Sequence, residues 1–279
     1  MTKRPAMSSD ARPWRIAGRI AAALVVVFYG FPLAWMVTTS LKTPAESAVV
    51  TWWPSQWVFD GYVDFFTSDF LPALRHSLQI AVVTVILSLV LAVPAAYGLS
   101  RSRSRLVTPA LLLVVLVQII PPSITFIPLL QILAQLRLLD TFLGVSLAQC
   151  ALFAPFAILV LRPAFAAIPP EIEEAASIDG AGSVRYLTKI ALPLLRNSTL
   201  VIGAICFVFS WGDLVYPLTL LVSQDKYPLT AFIVEAISRF GGNANSLMAV
   251  SVLIALPTLV VVLLAQRNLK AGLALGAVK

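Results

Sequence analysis

The chain has 279 residues, of which 59% are hydrophobic and 12% charged, against roughly 45–50% and about 25% in soluble domains. So little polar surface cannot clothe a soluble globule, and lipid is the expected solvent. In that setting the net charge of +7 bears on membrane orientation rather than on nucleic acid, which is not expected as a partner.

Six apolar stretches approach or exceed the roughly 20 residues a helix needs to cross the hydrocarbon core: 16–39, 78–99, 107–133, 142–161, 199–222 and 247–265. The basic segment 1–15 precedes the first. That first stretch exceeds the apolar core of a signal peptide, about 7–15 residues, and is expected to stay as an uncleaved span. The loop after it holds Trp52, Trp53 and Trp57, expected to anchor the loop in the headgroup region rather than to hold a ligand. His76, beside Arg75 and just before the second stretch, has no acidic or cysteine partner in view and reads as structural. Pro121-Pro122 should kink or break the third stretch.

Orientation follows from the basic residues. With a cytoplasmic N-terminus, fifteen of the 20 Lys and Arg fall in inside segments and five in outside ones. That excess predicts both termini in the cytoplasm. The expected fold is an all-α membrane protein of six transmembrane helices: segment 1–15, a helical domain over 16–266, and a cytoplasmic tail over 267–279.

Between the fourth and fifth spans, on the cytoplasmic side, runs EIEEAASIDGAGSVRYLTKIALPLL, residues 171–195. Pro169-Pro170 can open a helix, and Glu171, Glu173 and Glu174 then lie at its positive dipole end. Gly180 and Gly182 should stop it after about three turns. A second helical stretch over 183–192 carries Arg185 and Lys189 toward its C-terminus, and Pro193 and Arg196 lead into the fifth span. Ala175, Ala176, Ile178, Ala181 and Leu187 offer small and apolar groups to a partner. A helix resting on the membrane surface would favour Lys and Arg. The acidic first half points instead to docking in a protein groove.

Glu174-Ala175-Ala176, Asp179-Gly180-Ala181, Ile190 and Leu192-Pro193-Leu194 resemble the "EAA" motif of bacterial ABC importer permeases. The ending AGLALGAVK resembles the tail of the carbohydrate-uptake branch, similar to the six-helix permease of the maltose system, and FSWGDLVYPL resembles that branch's fifth helix. Leu187 stands where phenylalanine is common, Asn197 where a proline often follows, and Gly212 in place of the usual asparagine. The resemblance implies that the loop, about 163–196, forms coupling helices seated in a cleft of an ATPase subunit. Glu174, Ala175, Ala176, Asp179, Gly180, Ala181, Leu187, Ile190, Leu192 and Pro193 would carry that role. It further implies a homologous second permease, two ATPase subunits, an extracytoplasmic solute-binding protein and a sugar-like substrate, in the plasma (inner) membrane of a bacterium or archaeon. The tail, with Gly272 and Gly276, would reach toward the ATPases and regulate them.

No G-x-x-x-x-G-K-[ST] loop occurs, so ATP and Mg are expected on the partner ATPase, with no cofactor in this chain. One histidine and two isolated cysteines supply neither a metal site nor a nucleophile–base pair, which argues against an intramembrane enzyme. For the solute path, Asp213 is the leading candidate, with Trp211, Tyr216 and Gln118. Asp213 lies 14 residues past Thr199, roughly 21 Å along a helix. It would meet solute hydroxyls, pair with a basic group of the partner permease, or face water at the rim. Gln118, Gln131 and Gln149 would line the path or bond helix to helix. The alternative function is an ion-gradient-driven secondary transporter, which would need midplane carboxylates and weak symmetry between halves.

Overall fold

The computed structural model describes residues 11–63, 66, 70–239 and 243–276, and among them only helices and connections occur. In chain order these are α1 (Ala11–Ser40), the short turns α2 (Pro44–Ser47) and α3 (Asp60–Val63), α4 (Phe70–Arg101), α5 (Val107–Ile119), α6 (Pro122–Gln135), α7 (Phe142–Ala166) and α8 (Pro170–Ile178). Then follow α9 (Ser183–Tyr186), a π-helical stretch (Leu187–Ala191), α10 (Leu192–Leu194), α11 (Arg196–Gly212), α12 (Val215–Leu220), a 3-10 turn (Gln224–Lys226), α13 (Leu229–Arg239) and α14 (Ala244–Gly276). Among the described residues, four helices are long and apolar enough to cross a membrane, and up to six spans result if each of two bent pairs counts as one.

One bent pair falls where the sequence places a break, in the third apolar stretch, and the fifth stretch departs from the sequence reading. The third apolar stretch breaks where its proline pair lies: α5 ends at Ile119, Pro121 caps α6, and the two helices turn through 102°. The fifth stretch, expected as one helix over 199–222, is interrupted. Helix α11 ends at Gly212, Asp213 is extended, and α12 restarts at Val215. The Asp213 carboxylate accepts the Val215 amide at 3.0 Å, and the Thr230 hydroxyl donates to the Asp213 carbonyl at 2.8 Å. Polar groups freed by the break are thus satisfied within the chain, the condition for irregular backbone inside a membrane. His76 sits within α4 rather than before it, its ring 4.7 Å from that of Phe142.

The described residues fall into two compact units, one within Met1–Phe65 and Ile237–Leu253, the other within Phe66–Ala236 and Ile254–Lys279. In the first, the most apolar stretch of α1 has no buried residue, a surface suited to lipid or a partner helix. Lys42 is fully buried: its ammonium donates to the Thr51 carbonyl and lies 4.5 Å from the centroid of the Trp35 ring, a cation–π arrangement that offsets its desolvation. Trp52 packs edge-on against Phe31 and Trp35.

The second unit is organised by α4 and α7, which pack together along their lengths. Ala81, Ser88, Ala92 and Ala96 of α4 and Gly144, Ala148, Ala154 and Ala157 of α7 are all buried. Small residues let two backbones approach where lipid supplies no hydrophobic drive for association. Gly144 is obligatory, because a Cβ there would lie 2.1 Å from the Leu138 carbonyl oxygen. Larger side chains, Phe153, Leu161, Phe165, Tyr186 and Ile202, fill the core at the end of the unit that holds α8.

Candidate functional site

Two sites emerge, both inside the second unit. The first is the turn made by α8 and α9. Pro170 opens α8 with Glu171 and Glu173 in its first turn, and the helix ends before Asp179. Gly180 follows with φ +78°, a left-handed conformation that a side chain disfavours. The Ala181 amide returns to the Ala176 carbonyl at 2.9 Å, closing the helix end. Beyond Gly182 come α9, the π-helical stretch and α10, and the run from Ser183 to Leu194 then bends by 84° into α11.

The motif residues divide into two faces. Glu174, Ala175, Asp179, Gly180 and Pro193 are exposed, and beside them Ile178 and Val184 stand 87% and 77% exposed. Ala176 is instead buried, and Ala181, Leu187, Ile190 and Leu192 pack against this chain's own core. The expectation that Ala176 faces a partner is corrected on that ground, since it is buried against the spans, while Ala181 and Leu187 are half-buried and pack against the core with part of their surface left open. Val184, absent from the sequence reading, is like Ile178 a large apolar residue left exposed on this turn.

A polar cluster on the inner face of α8 also escaped the sequence reading. Arg101, the last residue of α4, places Nε 2.7 Å from Glu173 Oε2 and donates from Nη2 to the Ile168 carbonyl at 3.1 Å. The Tyr97 hydroxyl donates to Glu173 Oε1. The Arg162 Nε–H of α7 donates to the Leu99 carbonyl at 3.3 Å. The two partners of the Arg101–Glu173 pair lie 72 residues apart in the chain, which is why the motif alone does not disclose it.

The second site surrounds Asp213. Gln149, fully buried in α7, donates to Asp213 Oδ2 at 2.8 Å and accepts at Oε1 from Thr84 at 2.9 Å and from Ser210 at 2.5 Å. One amide thereby ties α4, α7 and α11 to the carboxylate. Asp213 borders a cavity of about 500 Å³, with Tyr216, Phe126, Phe153 and Phe209 among its lining residues. Tyr216 meets Phe126 edge-on at 5.4 Å. A carboxylate among aromatic faces can accept from hydroxyls while rings cover C–H surfaces.

Two of the sequence candidates are placed elsewhere. Trp211 is 3% exposed, donates to the Ile254 carbonyl at 3.0 Å and stacks on Phe207, so its ring is consumed in packing. Gln118 donates to the Leu152 carbonyl at 2.8 Å, and for it and Gln149 the structure provides the helix-to-helix bond. Gly272 and Gly276 lie in the last turns of α14, and residues 277–279 of the expected tail are outside the described residues.

Residues 85–274 match the family described as binding-protein-dependent transport system inner membrane component. The chain belongs to that family. Among curated relatives, this permease is 33% identical over 267 residues to the trehalose transport system permease protein SugB of Mycobacterium tuberculosis, covering 92% of this chain and 94% of the relative. It is 30% identical over 262 residues to the diacetylchitobiose uptake system permease protein DasC of Streptomyces coelicolor, covering 91% and 94%. The permease shares its fold with a chain in the crystal structure of a bacterial ABC transporter involved in the import of the acidic polysaccharide alginate: TM-score 0.77, 22% identity, 95% of this chain and 99% of that one.

Proposed function

We propose that this permease carries a sugar or sugar-like solute inward, and that the α8–α9 turn couples it to a separate ATPase subunit. In this reading α5 with α6 forms one span and α11 with α12 another, which with the four long helices gives six, and both termini lie in the cytoplasm, in accord with the distribution of Lys and Arg. ATP and Mg belong to the ATPase, and a second permease and a solute-binding protein complete the importer. The observation that carries the coupling role is the exposure of Ile178 and Val184 on the same short turn as the exposed Glu174 and Asp179. Two large apolar groups held in water on a turn that also carries carboxylates suit a protein groove.

Solute specificity rests on two supports. The relatives SugB and DasC are named for trehalose and diacetylchitobiose, and the Asp213 cavity offers an acceptor with aromatic faces. Asp213 and Tyr216 are the solute-path residues in this reading.

The experiment is a pull-down from detergent extract through a tag on this chain. Wild type is expected to recover an ATPase and a second permease. Glu174→Lys and Gly180→Pro should keep the second permease and lose the ATPase, the second because proline cannot adopt φ +78°. Equal ATPase recovery from both variants would remove the coupling role. A lone wild-type polypeptide active in ion-driven uptake would install the secondary-transporter reading.

A further inference from the structure

The coupling turn is joined covalently to the spans at two places: the short linker from α7 to α8, and the bend of 84° into α11. Neither by itself fixes the angle of α8. A third attachment exists, and it goes to α4, which is neither the preceding nor the following span. Arg101 Nε forms an ion pair with Glu173 Oε2 at 2.7 Å, the Tyr97 hydroxyl donates to Glu173 Oε1, and Arg101 Nη2 donates to the Ile168 carbonyl. Each charge is also favoured by its own helix: Arg101 is in the last turn of α4 and Glu173 in the first turn of α8, the dipole ends that stabilise a cation and an anion. Both side chains are largely withdrawn from solvent, with 21% and 30% exposure, so their attraction is less screened than that of a surface pair.

Helix α4 links this attachment to the other site. Thr84, which donates to Gln149 and through it meets Asp213, lies 17 residues before Arg101 in the same helix. That is about 26 Å at 1.5 Å per residue. Pro94 removes one backbone bond on the way, yet the helix is continuous from Phe70 to Arg101.

We propose that the Arg101–Glu173 pair is the joint through which displacement of the coupling turn is transmitted to α4, and through α4 to the Thr84–Gln149–Asp213 network at the cavity. Arg101 and Glu173 are positioning residues: they touch neither solute nor nucleotide. The inference rests on the coupling role proposed above for the α8–α9 turn. Without the joint, α8 still docks, because its outward face is unchanged, but only the apolar packing around Ala176 and Tyr186 ties the turn to α4, and part of its movement is absorbed at the linker and the bend.

The test uses the whole importer in proteoliposomes, with ATP hydrolysis measured in the presence and absence of the companion solute-binding protein. The variants are Arg101→Gln, Glu173→Gln and the exchange Arg101→Glu with Glu173→Arg. Both single variants should retain the ATPase in the pull-down while stimulation by the binding protein falls about tenfold, within the span of ordinary coupling factors. The exchange should restore part of it, since the ion pair re-forms while each charge then opposes its helix dipole and the Ile168 carbonyl loses its donor. Unchanged ATPase retention and basal hydrolysis in all three variants separate the joint from a merely structural role. If Arg101→Gln fails to assemble, Tyr97→Phe reads the same joint by deleting one hydroxyl, and a smaller loss with full ATPase retention is expected. Full stimulation in the single variants, a fall in basal hydrolysis to match the fall in stimulation, or a loss that the exchange does not repair at all, overturns the joint and leaves the importer reading intact. A wild-type complex that lacks an ATPase or shows no stimulation overturns the importer reading, and the joint with it.

Discussion

Replacing Gln149 by leucine should destabilise this permease far more than replacing any other glutamine that spans two helices by one bond. Leucine keeps the volume but removes three interactions at once: the bonds from Thr84 and Ser210, and the bond to Asp213. Neutral side-chain bonds between membrane helices average about 0.6 kcal/mol, and a bond to a charged group contributes about 1.5–3 kcal/mol. The expected loss is therefore about 3 kcal/mol, part of it the cost of leaving the Asp213 carboxylate short of a donor. Gln118→Leu is the internal control, since its side chain makes one bond, to the Leu152 carbonyl, and should cost about 0.6 kcal/mol. Equilibrium unfolding in mixed micelles, followed by the tryptophan signal, measures both. If Gln149→Leu loses no more than Gln118→Leu, the three bonds are not acting as a hub, and the reasoning that links α4, α7 and α11 through one amide fails.

Gly144→Ala should lower thermal stability by about 3 kcal/mol or more, because the new methyl would lie 2.1 Å from the Leu138 carbonyl oxygen and backbone must move to admit it. Gly98→Ala, with nothing within 4 Å, should instead be neutral or gain up to about 1 kcal/mol in its helix, and the opposite order in a thermal-shift assay would contradict the packing. Bonds from the Lys226 ammonium, the Ser223 hydroxyl and amide, and the Val222 amide hold the Asp140 carboxyl well below the usual carboxylate range. A depressed folded-state pKa means a stability contribution complete above the ordinary value of about 3.9 and lost as pH falls below it. Asp140→Asn should thus flatten the acid side of a melting-temperature profile taken between neutral pH and pH 3, and an unchanged acid slope would count against the clamp. Asp213→Ala should change uptake across a panel of sugars while the ATPase stays bound in the pull-down; unchanged uptake of every sugar would return Asp213 to a structural role.

Much of this permease is legible without coordinates because lipid imposes simple rules. Apolar length specified where the long helices run, a proline pair specified where one of them breaks, and the punctuation around Gly180 specified a short helix, a turn and a return. Those features depend on residues close together in the chain, where covalent geometry and backbone hydrogen bonding act directly. Tertiary structure decided what distant residues share. The interruption at Asp213 needs the Thr230 hydroxyl to donate to its carbonyl, and Gln149 becomes a hub only when α4 and α11 bring Thr84 and Ser210 to it. Ala176 turns inward, while Ile178 and Val184 stay exposed, because α8 leans on the core of α4 and α7. The pair Arg101–Glu173 has no local signal at all. Its two charges are unremarkable helix-end residues in sequence, and packing alone brings them to one point.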